Sequence, residues 1–211
     1  KELDNCNVGD GDYARKSHFL EAVILSCQAV MDYADRYAQL AREMAGQTSD
    51  PVRRQELLVI AENCSKVPAK GARGFYEACQ SFWFVQQLIQ MESSGHSISP
   101  GRFDQYMYPY YKKDMEAGTI TREFAQELMD CIWVKLNDLN KCRDAASAEG
   151  FAGYSLFQNL IAGGQNKEGE DVTNDLSVMC ILASMHVHLP MPSLSIRVWN
   201  GSPHDLLIKA A

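Results

Sequence analysis

The chain has 211 residues, of which 46% are hydrophobic, 22% charged and 9% aromatic. These are the proportions of a globular protein, and they exclude collagen-like, low-complexity and intrinsically disordered classes. Its 20 Lys and Arg residues against 27 Asp and Glu residues give a formal net charge of −7 without a basic cluster, so nucleic acid is not an expected partner.

Two helices are predicted for the N-terminal third. Residues 1–14 are polar and are expected to form a loop. From about residue 15, apolar side chains recur at alternating spacings of four and three, which draws one stripe along a long helix. The stripe contains Phe19, Val23, Ser26, Val30, Tyr33, Tyr37, Leu40 and Met44. Asp50 and Pro51 then predict the cap and first turn of a second helix, which has to end before Pro68.

A third helix, a long loop and a fourth helix follow. Residues 75–91 are apolar nearly all round, which indicates a helix buried on most sides by more neighbours than this chain offers. The helical period then stops, so residues 93–111 are expected to form a long structured loop, rich in aromatic and hydrogen-bonding groups. The fourth helix is predicted from about Thr121 to about Cys142.

The pattern changes to alternating strands and helices after residue 150. Residues 157–161 and 193–199 are predicted strands. Thr173 is the expected cap of the helix between them, and Ser202 with Pro203 is the expected start of a last helix. This order is typical of parallel β/α units, and a two-stranded parallel sheet is not stable alone.

We therefore predict an α/β fold of which this chain is one part. Residues 15–143 are predicted to be mainly helical, and residues 151–211 to supply a few parallel strands in β/α units. Because the chain does not begin with Met and its end is helical in pattern, we expect both ends to lie inside a longer protein.

Neither a membrane span nor a disulfide framework is predicted. No apolar run reaches the roughly 18 residues needed to cross a membrane, and the N-terminal residues lack the pattern of a secretory signal. The seven cysteines include no Cys-x-x-Cys pair. Both observations favour a reducing, cytoplasmic location.

Two segments are candidate binding sites. In Gly95-His96-Ser97, the imidazole and hydroxyl offer a donor and an acceptor to a small polar substrate; the alternative is a loop stabilised by its own side chains. Phe151 and Phe157 are flanked by glycines, and phenyl faces attract cations such as ammonium groups. The alternative for these rings is packing in a core.

Two other pairs of polar residues are not predicted to form a functional site. His186 and His188 share a side only on an extended segment, and no Cys or carboxylate follows at ligand spacing, so no metal is expected. Arg102 and Asp104 are interpreted as a pair that stabilises the loop. No phosphate-binding fingerprint or catalytic triad is present.

Four segments together resemble one enzyme family. The longest is residues 93–111 (SSGHSISPGRFDQYMYPYY), and the others are 153–160 (GYSLFQNL), 192–197 (PSLSIR) and 11–15 (GDYAR). They resemble the glycyl radical enzymes, the pyruvate formate-lyase-like family. Within it, the chain is most similar to the choline trimethylamine-lyases and next to the glycerol and 1,2-diol dehydratases.

The resemblance implies a ten-stranded α/β barrel of two antiparallel five-stranded halves wrapped by helices, of which residues 1–211 are an internal fragment. It implies a glycyl radical and no metal, a separate S-adenosylmethionine radical activating enzyme, and a homodimer. It also implies that a cysteine thiyl radical takes a hydrogen atom from the substrate carbon that bears the hydroxyl. It leaves open whether a bacterial microcompartment encloses the enzyme in the cytoplasm.

The chain lacks the family's Gly-Cys-x-Glu and Arg-Val-x-Gly-Tyr loops, so no catalytic residue is expected in it, only residues of the substrate pocket. By resemblance, Phe151 and Phe157 match the aromatic pair that faces choline in the lyases. His96 and Ser97 match the pair that holds substrate hydroxyls in the diol dehydratases.

The predicted function of the longer protein is cleavage of the C–N bond of choline to trimethylamine and acetaldehyde. One alternative is a glycerol or 1,2-diol dehydratase of the same family. The other, from a different class, is a helical binding module without chemistry.

Overall fold

The computed structural model describes residues 1–92, 98–139, 144–151 and 157–211, with the backbone but not the side chain of Phe151. The chain forms two compact units, Lys1–Gly71 and Ala72–Ala211. Within the described ranges, no helix is both long and apolar enough to cross a membrane.

The first unit confirms the two predicted N-terminal helices, α1 (Tyr13–Gln47) and α2 (Pro51–Lys66). Asp50 caps α2 as predicted, since its carboxylate accepts from the Val52 N–H at 2.9 Å. The buried face of α1 is a row of small residues, which permits close helix packing: Ser17, Ala34, Ala38, Ala41 and Ala45. The predicted apolar stripe lies on another side and is largely exposed, with Phe19 at 67%.

The second unit contains six helices and two strands among its described residues. In chain order they are α3 (Phe75–Glu92), α4 (Phe103–Glu116), α5 (Arg122–Asp138), α6 (Ala145–Phe151), β1 (Asn159–Gly163), α7 (Asp175–Val187), β2 (Ser193–Arg197) and α8 (His204–Ala210). The predicted helices at α3, α5, α7 and α8 are confirmed, as is the parallel pairing of the two strands.

The core of this unit is built from α3, α4, α5, α7 and one face of the strands. Its large, fully buried side chains include Phe75, Phe103, Tyr111, Met129, Trp133, Leu160, Leu176 and Met179. Val85 and Ile89 of α3 remain exposed because no described element covers that side, which agrees with the expectation that burial of α3 on most sides needs more neighbours than this chain offers.

The predicted loop over residues 93–111 is wrong from residue 103 onward, where α4 begins. Phe103, Met107 and Tyr111 are spaced by four and are all buried, so they form the core-facing side of this helix. Pro109 lies inside α4 and removes one backbone donor there. α6, at residues 145–151, is a helix that the sequence pattern did not predict.

Several predicted boundaries move by one to four residues, the largest shift being the end of α5 at Asp138 instead of Cys142. α7 is capped by Asn174, because the Thr173 hydroxyl is engaged with Asp171 at 3.1 Å. Ser202 does not cap α8; its Oγ accepts instead from the Trp199 N–H at 2.9 Å. β2 ends at Arg197, two residues before the predicted end.

Candidate functional site

The segment before α4 runs beside the first strand. The Gly101 N–H donates to the Asn159 carbonyl at 3.3 Å, and the Ile161 N–H donates to the Gly101 carbonyl at 2.7 Å, in a parallel bridge. The Asn159 N–H donates to Ser99 Oγ at 3.0 Å. The end of the predicted binding loop and the start of β1 therefore lie side by side.

Three buried glutamines surround this point. Gln86 Nε2 donates to the Ile98 carbonyl at 2.7 Å and to Gln158 Oε1 at 3.0 Å. Gln158 Nε2 donates to the Leu136 carbonyl at 2.8 Å, and Gln90 Nε2 donates to the Ile98 carbonyl at 3.0 Å. Because a buried amide is stable only when it is hydrogen bonded, these contacts hold Ile98 and Gln158 together. We call these three residues the glutamine network.

The sequence-predicted site residues are described unequally. His96 and Ser97 lie outside the described residues, as does the side chain of Phe151, whose backbone ends α6. Phe157 is described and is 57% exposed. It precedes β1 by two residues, so the prediction that it begins the strand is wrong: the ladder starts with the pairing of Asn159 and Ser193.

The two faces of the strand pair differ in character. The core-facing side chains, at alternate positions, are Leu160, Ala162, Leu194 and Ile196. Asn159, Ser193 and Ser195 alternate with them and none of the three is buried. Ser195 Oγ donates to Asn159 Oδ1 at 2.8 Å. Hydroxyl and amide groups of this kind suit a small hydroxylated molecule.

Sequence analysis did not identify Ser99, Asn159 or Ser195 as part of this site. The signal for Ser195 was present, since it lies between the apolar residues of an alternating strand. Ser99 and Asn159 carried no such signal, because their contact joins residues 60 positions apart.

Asp104 supports the other end of β1. It is fully buried, and its Oδ2 accepts from the Gly163 N–H at 2.7 Å and from Ser177 Oγ at 2.5 Å. Burial raises the pKa of Asp104, and the two hydrogen bonds oppose that rise. The predicted Arg102–Asp104 pair is not among the ion pairs of the described residues; the Arg102 guanidinium instead approaches the Gly163 carbonyl at 3.5 Å. Asp104 acts here as an acceptor for backbone and hydroxyl donors.

The two histidines of the His186-Val187-His188 segment are engaged separately. His186 Nδ1 lies 2.9 Å from Asp130 Oδ2, and His188 ends α7 in the left-handed conformation, with φ of 51°. Over the described ranges, no group of three or more His, Cys, Asp or Glu side chains is arranged to hold a metal ion.

Several described cysteines lie in helices. Cys79 and Cys180 are buried in helices, and burial raises the pKa of both thiols. Cys27 and Cys131 are exposed on α1 and α5.

The model of one family, described as pyruvate formate lyase-like, matches residues 1–211. The chain belongs to the pyruvate formate lyase-like family. Its relatives are glycyl radical enzymes, so the predicted family is confirmed. The predicted fold class, a helix-rich part of this family's α/β barrel, is confirmed as well.

Two solved structures and one curated relative illustrate the likeness. The first, a structure from Roseburia inulinivorans described for 1,2-propanediol dehydration, is 69% identical in sequence to this chain and superposes with a TM-score of 0.94. The second, the glycerol-bound B12-independent glycerol dehydratase from Clostridium butyricum, is 55% identical with a TM-score of 0.92. Each match covers 99% of this chain and 26% of that chain.

The isethionate sulfite-lyase of Desulfovibrio desulfuricans is 42% identical over 198 residues, which is 93% of this chain and 24% of that protein. The chain therefore spans about a quarter of the length of these relatives. These likenesses do not test choline C–N cleavage, which stays a prediction.

Proposed function

We propose that the longer protein containing this chain is a 1,2-diol dehydratase, and that this chain supplies part of the wall of its substrate pocket. The observation that carries the proposal is the 69% identity to the structure described for 1,2-propanediol dehydration. In such a reaction one C–O bond breaks, water leaves, and the diol becomes an aldehyde without an external oxidant.

In this proposal the chain binds and orients the diol. His96 and Ser97 hold the substrate hydroxyls, and the polar groups of Asn159 and Ser195 extend the hydrophilic side of the pocket. Phe151 and Phe157 form the apolar side, against the carbon chain. The family's glycyl radical supplies the hydrogen-atom abstraction when present, through residues that do not belong to this chain.

The supporting geometry is the junction of two segments. Ile98 directly follows Ser97 in the chain, Gln158 directly follows Phe157, and the glutamine network joins Ile98 to Gln158. The described residues Ile98 and Gln158 are thus held by one amide side chain, and each is adjacent in sequence to a residue that we propose binds the substrate.

The experiment is an anaerobic turnover assay of the activated full-length enzyme with 1,2-propanediol, glycerol and choline. We expect aldehyde from a diol and no trimethylamine from choline. Trimethylamine from choline without diol consumption would overturn the dehydratase proposal in favour of the C–N lyase predicted from the sequence.

Variants at the aromatic pair make the distinction sharper. Phe151→Leu keeps an apolar side chain against the carbon chain and is expected to leave diol turnover within about threefold, whereas a choline lyase would lose a cation–π contact of about 0.5–2 kcal/mol. Ser97→Ala is expected to raise KM for the diol by about fivefold, since it removes a hydrogen bond to a hydroxyl of about 1 kcal/mol. Steady-state kinetics normalised to radical content measures both.

The assembly of the longer protein is proposed on the family resemblance alone. It is a cytoplasmic homodimer activated by a separate S-adenosylmethionine radical enzyme. Size-exclusion chromatography with light scattering tests the dimer, and radical formation that requires the added activating enzyme tests the partner.

A further inference from the structure

We infer that Gln86, Gln90 and Gln158 are positioning residues for substrate binding: they fix the segment that follows Ser97 against the segment that follows Phe157. The inference rests on the proposed function, because it assumes that Ser97 and Phe157 face the substrate. The three glutamines act through these segments and do not touch the substrate, since Gln158 is 0%, Gln90 2% and Gln86 6% exposed.

The amide groups of Gln86 and Gln158 connect separate parts of the chain. Gln86 lies in the middle of α3 and divides its Nε2 group between the Ile98 carbonyl and Gln158 Oε1. Gln158 uses its own Nε2 on the Leu136 carbonyl, in the last turn of α5, where carbonyls have no partner within the helix. Three separate parts of the chain are thereby tied to the residue just before β1.

Ile98 is held by two glutamines. Its carbonyl accepts from both Gln86 and Gln90, and Ser99 in the next position accepts from the Asn159 N–H. Two donors on one acceptor and a neighbouring bond to the strand restrict the backbone at residues 98–99 relative to β1.

Burying these amide side chains carries a free-energy cost. Burying an amide in an apolar core is unfavourable unless every bond is made, and an apolar side chain of similar volume would pack there without that requirement. The amides add directional hydrogen bonds between parts of the chain that are up to 72 positions apart. They determine where the two segments lie, which matters most if both contact one ligand.

The test compares Gln86→Met with Gln126→Met in the full-length, anaerobically activated enzyme. Methionine keeps the length and volume of glutamine and removes its hydrogen bonds. Gln126 is a matched control, because its Nε2 also donates to a main-chain carbonyl, that of Met179, but it joins α5 to α7. Radical content is measured in each sample, so that kinetics refer to active sites only.

For Gln86→Met we expect a rise of about tenfold in KM for 1,2-propanediol with kcat changed less, since small misplacements of binding groups are expensive. Gln126→Met is expected to keep KM within about twofold. Gln90→Met, which leaves the Gln86 bond to Ile98 in place, is a milder variant with a smaller change in the same direction. An unchanged KM in Gln86→Met and Gln90→Met, or an equal rise in Gln126→Met, overturns the inference.

A second readout separates this inference from the proposed function. Hydrogen exchange of the full-length enzyme is expected to quicken in Gln86→Met at the amides of Asn159 and Ile161, which donate to residues 99 and 101, and to stay unchanged there in Gln126→Met. If the wild-type enzyme dehydrates no diol, the proposed function fails while this exchange pattern still tests the network. Equal exchange in wild type and Gln86→Met contradicts the network itself.

Discussion

Asp104 shows how one side chain secures the far end of β1. Its buried carboxylate accepts from the backbone of Gly163 and from Ser177 of α7, so it joins α4, the strand end and α7. Burial raises its pKa above the ordinary value of 3.8. A carboxyl with a raised pKa stabilises the fold fully below that ordinary value, and the contribution is lost as pH rises through the raised pKa.

Asp104→Asn removes this titration and keeps an acceptor oxygen. We expect the free energy of unfolding of the wild-type protein to fall relative to that of Asp104→Asn as pH increases above 3.8, since only the wild type buries a charge on deprotonation. Urea unfolding of the full-length enzyme at a series of pH values measures the difference.

Ser177→Ala is the companion variant. The Ser177 hydroxyl lowers the pKa of Asp104, so its removal is expected to extend the loss of stability to higher pH. A difference between wild type and Asp104→Asn that does not vary with pH would contradict this account.

At the scale of elements, α7 illustrates why a cap cannot be assigned from residue type alone. Thr173 and Asn174 are both good N-cap residues, but Thr173 bonds to Asp171 while Asn174 accepts from the N–H groups of Leu176 and Ser177. Ser177 Oγ accepts in return from the Asn174 N–H at 3.0 Å, which completes a capping box.

Asn174→Ala is therefore expected to lower the free energy of unfolding by about 1 kcal/mol, because two N–H groups at the helix start lose their acceptor. Thr173→Ala is the neighbouring control, with an expected loss under about 0.5 kcal/mol, since only a local turn bond is removed. Thermal or urea unfolding of the two variants compares them, and a larger loss in Thr173→Ala would restore the cap assigned from the sequence.

At the scale of the molecule, the chain leaves large apolar surfaces uncovered. Phe19, Val23 and Leu40 on α1 are exposed, as are Val85 and Ile89 on α3. The sheet has two parallel strands, and parallel sheets are normally covered on both faces. Since the chain spans about a quarter of its relatives, these surfaces are expected to pack against other parts of the longer protein.

The 211 residues produced alone are therefore expected to melt without a sharp transition and to bind a hydrophobic dye. The full-length enzyme is expected to melt sharply and not to bind the dye. Circular dichroism and dye fluorescence measure both. A cooperative melt of the isolated chain without dye binding would support the third function considered, a self-contained helical binding module.

The amino-acid sequence alone determined the family and most of the helices. Caps such as Asp50, the apolar period of α5 and the alternation of β2 are local patterns, readable over a few residues. The motifs around His96 and Phe157 likewise indicated the family, because they are contiguous in the chain. The buried face of α1 could not be predicted in this way, because it consists mainly of alanines, while the stripe of larger apolar residues is exposed.

Only the tertiary structure placed α4 in the core and showed which polar groups meet at the start of β1. In the sequence, Pro109 and the many aromatic residues obscured the helical spacing of Phe103, Met107 and Tyr111. Packing of these three side chains against the other helices makes a helix favourable here. Gln86 and Gln158 are 72 positions apart and each looks like an ordinary polar residue in its own segment. Their pairing depends on burial and direction, two properties that arise only when distant segments pack together.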